Sequence, residues 1–298
     1  MSLPPPPLPP QSPPPPATPT LPSCYRHPGR EAGRSCTRCG RAACGECLVQ
    51  AAVGSHCVDC AKASRPATSF RAKSWNARQL TLVANVLIAV NVAVFALVTV
   101  ADPKSLTGRG GISKLQYELG LNKLLLAQTD EWYRLVTSGF LHFGVLHIAF
   151  NMLLLYQLGQ LLERSLGRLR FGLLYGASLL AGSFGVLLLT GNRPAITGGA
   201  SGAVFGLMAA AAIGLHRQGV NIFSTGLGTT LVLNLVLTFA VPGISIGGHL
   251  GGAIGGAICG WFMLAPRWKP TPRKVALVVP TVVAVVSVIG SVIVVSLV

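Results

Sequence analysis

Charge is what this chain has least of. Only 11% of its 298 residues are Asp, Glu, Lys or Arg, where a soluble domain carries about 25%. Carboxylates are the scarcer half, eight against 24 Lys and Arg. A surface so poor in charge does not suit a soluble domain, and it suits hydrocarbon, where charges are costly. A transporter would need an acidic or cationic relay deep in its bundle, or internal repeats, and the sequence offers neither. The formal charge of +16 does not point to nucleic acid, because its basic residues lie before the first apolar segment and in short loops, with no compact reading surface. They read as topology signals and contacts to anionic lipid. Cysteine is nearly absent after residue 60: Cys259 stands alone there and reads as a small buried residue.

What is present is apolar. Hydrophobic residues make up 51% of the chain and its mean hydropathy is +0.58. Segments near 79–100, 144–163, 170–190, 201–216, 222–241, 246–264 and 275–298 have lengths suited to a bilayer core about 30 Å thick. With the N-terminus in the cytoplasm, 18 Lys and Arg fall on the inner side and six on the outer. The positive-inside rule therefore predicts an inner N-terminus and, after seven spans, an outer C-terminus. The connection 101–143 is too long for a plain loop, and Trp132 and Tyr133 suit the headgroup region, so a partly embedded structure is expected there.

The chain opens "MSLPPPPLPPQSPPPPATPTLPS", with 12 prolines before Cys24 and no signal-peptide pattern. Residues 1–23 are expected to form a disordered, extended polyproline tail. Residues 24–62 follow as a Cys-rich module, and 63–78 as a basic linker. Cys24/His27, Cys36/Cys39, Cys44/Cys47 and Cys57/Cys60 each hold two soft ligands with two residues between them. Eight such ligands make two closed tetrahedral zinc sites, structural because no coordination position stays open. The seven cysteines are odd in number and the side is reducing, which disfavours a disulfide framework. His56 is a spare ligand.

Polar residues recur where the bilayer should exclude them. His147 and Asn151, in "HFGVLHIAFN", lie on one helix face; Ser201 opens an apolar helix; His249 begins "GGHLGGAIGG". All three regions fall within about two turns of the outer ends of their spans. Gly248, Gly252, Gly256 and Gly260 form a small-residue stripe, and Gly202, Gly206 and Ala210 a matching face, so two backbones can approach closely. A Ser hydroxyl beside a neutral imidazole is an activated nucleophile. Free N–H groups at the helix start, with His147 and Asn151, can donate to an oxyanion. No carboxylate is placed to complete a triad, so a Ser201–His249 dyad is expected. His216 and Arg217, at the inner end of the fourth span, look like loop chemistry.

The set "GASG", "HFGVLHIAFN", "EWYR" and "GGHLGGAIGG" resembles the rhomboid intramembrane serine proteases over about 79–264. The resemblance implies an all-α polytopic fold, a six-helix bundle over 79–264; the apolar run near 275–298 adds a seventh helix after a cytoplasmic linker, within 265–298. It makes Ser201 the nucleophile, flanked by Gly199 and Gly202, and His249 the general base. It puts His147 and Asn151 at the oxyanion, makes His142 structural, and has Trp132, Arg134 and Glu163 hold the first loop and second span. Phe205 falls where an aromatic ring packs on the catalytic His. The implied reaction is hydrolysis of a peptide bond in or beside a substrate's transmembrane helix, with no cofactor for the chemistry. The alternative is a catalytically silent rhomboid-like protein that binds membrane clients. The Cys-rich spacing resembles a B-box-type zinc finger, which implies that the first and third ligand pairs share one ion and the second and fourth the other; such modules bind protein partners. The Ala-, Gly-, Val- and Arg-rich composition suggests a bacterial cytoplasmic membrane.

Overall fold

The computed structural model describes residues 21–51, 53–63, 81–108, 111–191, 194–266 and 270–298. Most of the proline tail and of the linker lies outside these residues. The chain divides into two compact units, 1–73 and 74–298.

The first unit is built on two short antiparallel ribbons. Strands β1 (Arg34–Ser35) and β2 (Ala42–Ala43) pair through Arg34 with Ala43; β3 (Leu48–Gln50) and β4 (Ser55–Cys57) pair through Val49 with His56. Helix α1 (Val58–Ala63) follows. Its largest cluster of buried apolar residues is Cys24, Ala32, Ala43, Cys44 and Cys47. Alanines and thiols bury too little apolar area to hold some 40 residues together.

The second unit is helical. Helix α2 (Leu82–Ala101) leads into three short helices, α3 (Lys114–Leu119), α4 (Lys123–Thr129) and α5 (Arg134–Thr137). Six longer ones follow: α6 (Val145–Leu166), α7 (Arg168–Leu189), α8 (Ser201–Arg217), α9 (Leu227–Ala240), α10 (Ile246–Met263) and α11 (Val275–Ser296). Every apolar segment of the sequence is thus a helix. Among the described residues, α2, α6, α7 and α11 are long and apolar enough to cross a membrane, by length and composition. The most apolar stretch of α7 is 61% buried and that of α2 or α11 only 22%, so α7 runs through the centre of the bundle. The outer helices turn Val86, Val90, Leu97, Val282, Val286, Ile289 and Ile293 outward, a surface that hydrocarbon suits and water does not.

Glycine sets how closely the central helices approach. A Cβ added at Gly206 of α8 would lie 2.7 Å from the Gly252 carbonyl oxygen of α10, and one at Gly260 would lie 2.6 Å from Cα of Ala210. A Cβ at Gly252 or Gly256 would collide with the Gly202 or Gly206 carbonyl. This is the expected stripe. A second one was not anticipated: Gly247, Gly251 and Gly255 bring the neighbouring face of α10 onto Gly185 and Ala181 of α7. The doubled glycines of "GGHLGGAIGG" therefore serve two helices at once.

The described residues of the 101–143 connection form short helices tied by side-chain and backbone hydrogen bonds. Ser113 caps α3, its hydroxyl accepting from the Gln116 amide, while the Gln116 side chain accepts from the Ser113 amide and donates to the His142 carbonyl. The amide and carbonyl of Leu121 exchange hydrogen bonds with those of Thr197, at 2.8 and 2.9 Å, and the Gly199 amide donates to the Ser138 carbonyl. The connection thereby fixes the stretch that enters Ser201.

Candidate active site

Ser201 is the first residue of α8, whose cap is Ala200, and its hydroxyl caps nothing. The side chain is committed elsewhere: Ser201 Oγ lies 2.8 Å from Nε2 of His249, the fourth residue of α10. The two side chains meet because the glycine stripes let α8 and α10 run almost backbone to backbone. Ser245 caps α10 by accepting from the Gly248 amide, which fixes where that helix starts. Phe205, one turn after Ser201, stacks on the His249 ring with centroids 4.0 Å apart and planes 18° apart. Both rings are buried.

His147 and Asn151 lie on α6. His147 Nδ1 accepts from the Phe143 amide at 3.3 Å, so the neutral ring carries its proton on Nε2. That nitrogen faces Gly199: a Cβ there would sit 3.0 Å from His147 Nε2 and 3.5 Å from Ser201 Oγ. Gly199 also has φ +143°, which side chains rarely adopt, so both conformation and space require glycine. A donor N–H and a nucleophilic oxygen therefore border one small space. The first N–H groups of α8 border it too, free of intrahelical partners. Asn151 is buried and gives one Nδ2 proton to the His147 carbonyl, at 2.9 Å, keeping the other. His142 packs edge-on against His147 with centroids 5.0 Å apart, and it is buried with no partner at either ring nitrogen.

Arg134 and Glu163, expected to hold the first loop and second span, act at separate joints. Arg134 is buried, donates to the carbonyls of Tyr117 and Gly120 at 2.6 and 2.8 Å, and pairs with Glu131 at 2.5 Å. Gly120 precedes Leu121, so the guanidinium supports the strand pairing beside Ser201. Glu163 accepts from the amides of Val83 and Ala84, each at 2.9 Å, and so caps α2 from within α6. Two N–H groups that α2 leaves unpaired are satisfied by a charged acceptor. Trp132 packs with Leu121, Leu126 and Leu135.

The expected two-member arrangement has a third group. Thr238 of α9 is buried, and its Oγ1 lies 2.6 Å from His249 Nδ1. Nothing in the spacing signalled it, because threonine is ordinary in an apolar helix.

In the N-terminal unit the eight soft ligands form two groups. Cys24, His27, Cys44 and Cys47 make one, Cys36, Cys39, Cys57 and Cys60 the other, with the ligand atoms of each group all within 4.8 Å of one another. His56 belongs to neither. His27 Nδ1 stands 3.4 and 3.5 Å from the sulfurs of Cys44 and Cys47, and Cys39 Sγ stands 3.8 Å from Cys57 Sγ. Bonds of about 2.3 Å to sulfur and 2.0 Å to nitrogen give a tetrahedron with edges of about 3.5–3.8 Å, so these separations fit the edges of a metal's ligand tetrahedron. Amide hydrogen bonds, Cys57 foremost, hold the Cys36 thiol at about 6. Burial, helped by the thiols of Cys24 and Cys44, pushes Cys47 up to about 11.

A helical bundle that brings a serine and an imidazole together at one end defines a class, and the sequence comparisons show what it is similar to. Residues 129–266 match the family model described as the Rhomboid domain. The chain is similar to Rhomboid protease GluP of Bacillus subtilis, 36% identical over 127 residues, which is 42% of this chain and 24% of that one. It is similar to RHOMBOID-like protein 4 of Arabidopsis thaliana, 43% identical over 107 residues, covering 36% and 25% of the two chains. Inactive RHOMBOID-like protein 8, also of Arabidopsis thaliana, is 30% identical over 126 residues, 42% and 35%. The alignments span about a quarter of the length of the first two relatives and about a third of the last. The fold is that of a rhomboid-like, polytopic all-α membrane protein.

Proposed function

We propose that this chain is an intramembrane serine endopeptidase that cleaves transmembrane segments of membrane proteins. The observation that carries the reading is the 2.8 Å approach of Ser201 Oγ to His249 Nε2, between two buried helices, with no role for the hydroxyl as a cap. Ser201 Oγ attacks the scissile carbonyl carbon as His249 Nε2 takes its proton. The oxyanion that forms is met by the free N–H groups at the start of α8, by His147 Nε2–H and by the remaining Asn151 amide proton. His249 then protonates the departing amine and leaves an acyl-Ser201 ester, which water hydrolyses from the outer side. A substrate helix must unwind to expose its carbonyl, so clients with weak helices and small residues at the cut are favoured.

The N-terminal unit is a B-box-like zinc module. Cys24, His27, Cys44 and Cys47 would hold one ion and Cys36, Cys39, Cys57 and Cys60 the other. Zinc supplies structure there, holding the module ready for a protein partner, and takes no part in the hydrolysis. The excess of inner Lys and Arg puts the N-terminus in the cytoplasm and the C-terminus outside, in a bacterial cytoplasmic membrane.

The second reading is a rhomboid-like protein that holds membrane clients without cutting them. The similarity to a relative named inactive favours it. The two separate on one experiment: the full chain in liposomes with a generic single-span substrate, beside Ser201→Ala and His249→Ala. The protease reading expects cleavage by the wild type and a loss of about 10³-fold or more in each variant. It also expects a fluorophosphonate probe to label wild type and not Ser201→Ala. A folded wild type that neither cuts nor labels leaves the client-binding reading.

A further inference from the structure

We infer that Thr238 is a positioning residue: its hydroxyl accepts the Nδ1 proton of His249 and so holds the imidazole in the tautomer whose Nε2 lone pair faces Ser201. The inference rests on the protease reading for its kinetic consequence, though not for its geometry.

The direction of the hydrogen bonds follows from counting protons. Thr238 Oγ1 stands 2.6 Å from His249 Nδ1 and 2.7 Å from the Asn234 carbonyl oxygen. The hydroxyl has one proton and the carbonyl has none. If that proton went to Nδ1, two oxygens with lone pairs would face each other at 2.7 Å with nothing between them. The proton therefore goes to Asn234, and Thr238 meets the imidazole as an acceptor. Nδ1 must then be the protonated nitrogen, which leaves the Nε2 of a neutral ring as an acceptor toward Ser201 Oγ, 2.8 Å away. One chain of donors runs from Ser201 to His249 to Thr238 to the Asn234 carbonyl. With the proton on Nε2, the ring could not accept one from Ser201.

Threonines in apolar helices often bond the carbonyl four residues back for their own sake. Thr230 and Thr281 do so here, at exposed positions. Thr238 makes the same bond, but it is one of only two buried residues in α9, the other being Gly228 at the opposite end. Its oxygen also meets Nδ1 of the buried His249 ring, whose face is stacked by Phe205. The acceptor belongs to α9 while base and nucleophile belong to α10 and α8, so displacing α9 would remove it from the ring.

The test reads the tautomer directly. Full-length protein carrying ¹⁵N-histidine is reconstituted in lipid, and the ring nitrogens of His249 are assigned by their loss in His249→Gln. Wild type and Thr238→Ser are expected to show a protonated Nδ1 and an unprotonated Nε2. Thr238→Val, equal in shape but without the acceptor, is expected to show a mixture of tautomers. Its kcat on a single-span substrate should fall about tenfold, the worth of one such hydrogen bond, with KM within twofold and Thr238→Ser near wild type. Thermal melting of each variant checks that the bundle is intact. A wild-type ring protonated at Nε2, or a folded Thr238→Val with an unchanged tautomer, overturns the inference. If the tautomers behave as expected but wild type neither cuts nor labels, the positioning stands and the protease reading fails.

Discussion

The two units solve opposite problems with opposite residues. Among its described residues the N-terminal unit has almost no apolar core, and its buried positions are thiols and alanines. It depends on ligands brought together by ribbons, and its glycines at 29, 33, 40 and 45 have open space where a side chain would go. The helical unit has apolar surface in excess and depends on the absence of side chains. Along α10 a methyl group at nearly every glycine would strike another helix. Where ligand side chains gather a unit, several glycines between them are not fixed by packing, Gly54 against Thr37 being an exception. Where cohesion comes from contact between backbones, the smallest residues are the constrained ones.

The sharpest way to break this comparison is to remove the metal. Chelation is expected to unfold the first unit, and Cys36→Ser with Cys57→Ser to empty its second site alone, while the helical unit keeps its melting temperature. Structural zinc in small domains contributes about 10–16 kcal/mol of folding free energy, far more than this unit's core. Metal analysis should fall from two ions per chain to one in the double variant. A helical unit that melted with the chelator would overturn the separation of the two.

The next effect runs the other way. Gly256→Ala puts a methyl group into the Gly206 backbone and should destabilise the bundle by about 1–3 kcal/mol, with a further loss of any Ser201-dependent activity as α8 and α10 part. Gly29→Ala, with nothing within 4 Å, should leave zinc content and melting unchanged. Equal effects of the two substitutions would show that the units are not distinguished by packing.

How much of this was legible differs between the units for the same physical reason. Ligand pairs with two residues between them are a local pattern, so the eight ligands could be read directly, and the way they group came from a resemblance. Helices were equally plain, since runs of apolar residues have few alternatives. Ser201 and His249 were found because hydroxyls and imidazoles are out of place in hydrocarbon. Thr238 was not, because threonine is at home there and its meaning lies in a ring eleven residues on, across a helix turn. Glu163 was singled out, but its work at the amides of Val83 and Ala84 joins positions about 80 residues apart. The second glycine stripe was in plain view. Glycines doubled every fourth residue mark two faces, and only one was read.

Glu163 gives a smaller effect that sharpens the helical side of the comparison. Among the described residues its charge is held by two backbone amides and by no Lys or Arg, so Glu163→Gln keeps one carbonyl acceptor and loses the charge assistance. A loss of about 1–2 kcal/mol is expected, seen as earlier thermal unfolding and as faster amide exchange at Val83 and Ala84. Glu163→Ala, which removes both acceptors, should cost more. A variant that melts like the wild type while α2 exchanges no faster would mean that α2 is held by its apolar face alone.

The smallest expected effect is a pH dependence confined to the 101–143 connection. The hydrogen bond from Arg134 foremost holds the Glu131 carboxyl below its ordinary value of 4.5, against the push of burial. A carboxyl depressed in the folded state stabilises fully above its unfolded value and loses that contribution as the pH falls through the folded one. Arg134 keeps its bonds to Tyr117 and Gly120 when Glu131 is protonated, so the connection should loosen without detaching. As the pH falls from neutral through and below 4.5, amide exchange at Leu121 and Thr197, after correction for its intrinsic pH dependence, should rise in the wild type. In Glu131→Gln it should already be raised at neutral pH and should change little with acid. Because Leu121 and Thr197 are paired four residues before Ser201, the same loosening should reach the nucleophile. A wild type whose Leu121 exchange ignores pH while its cleavage falls would locate the acid sensitivity outside this connection.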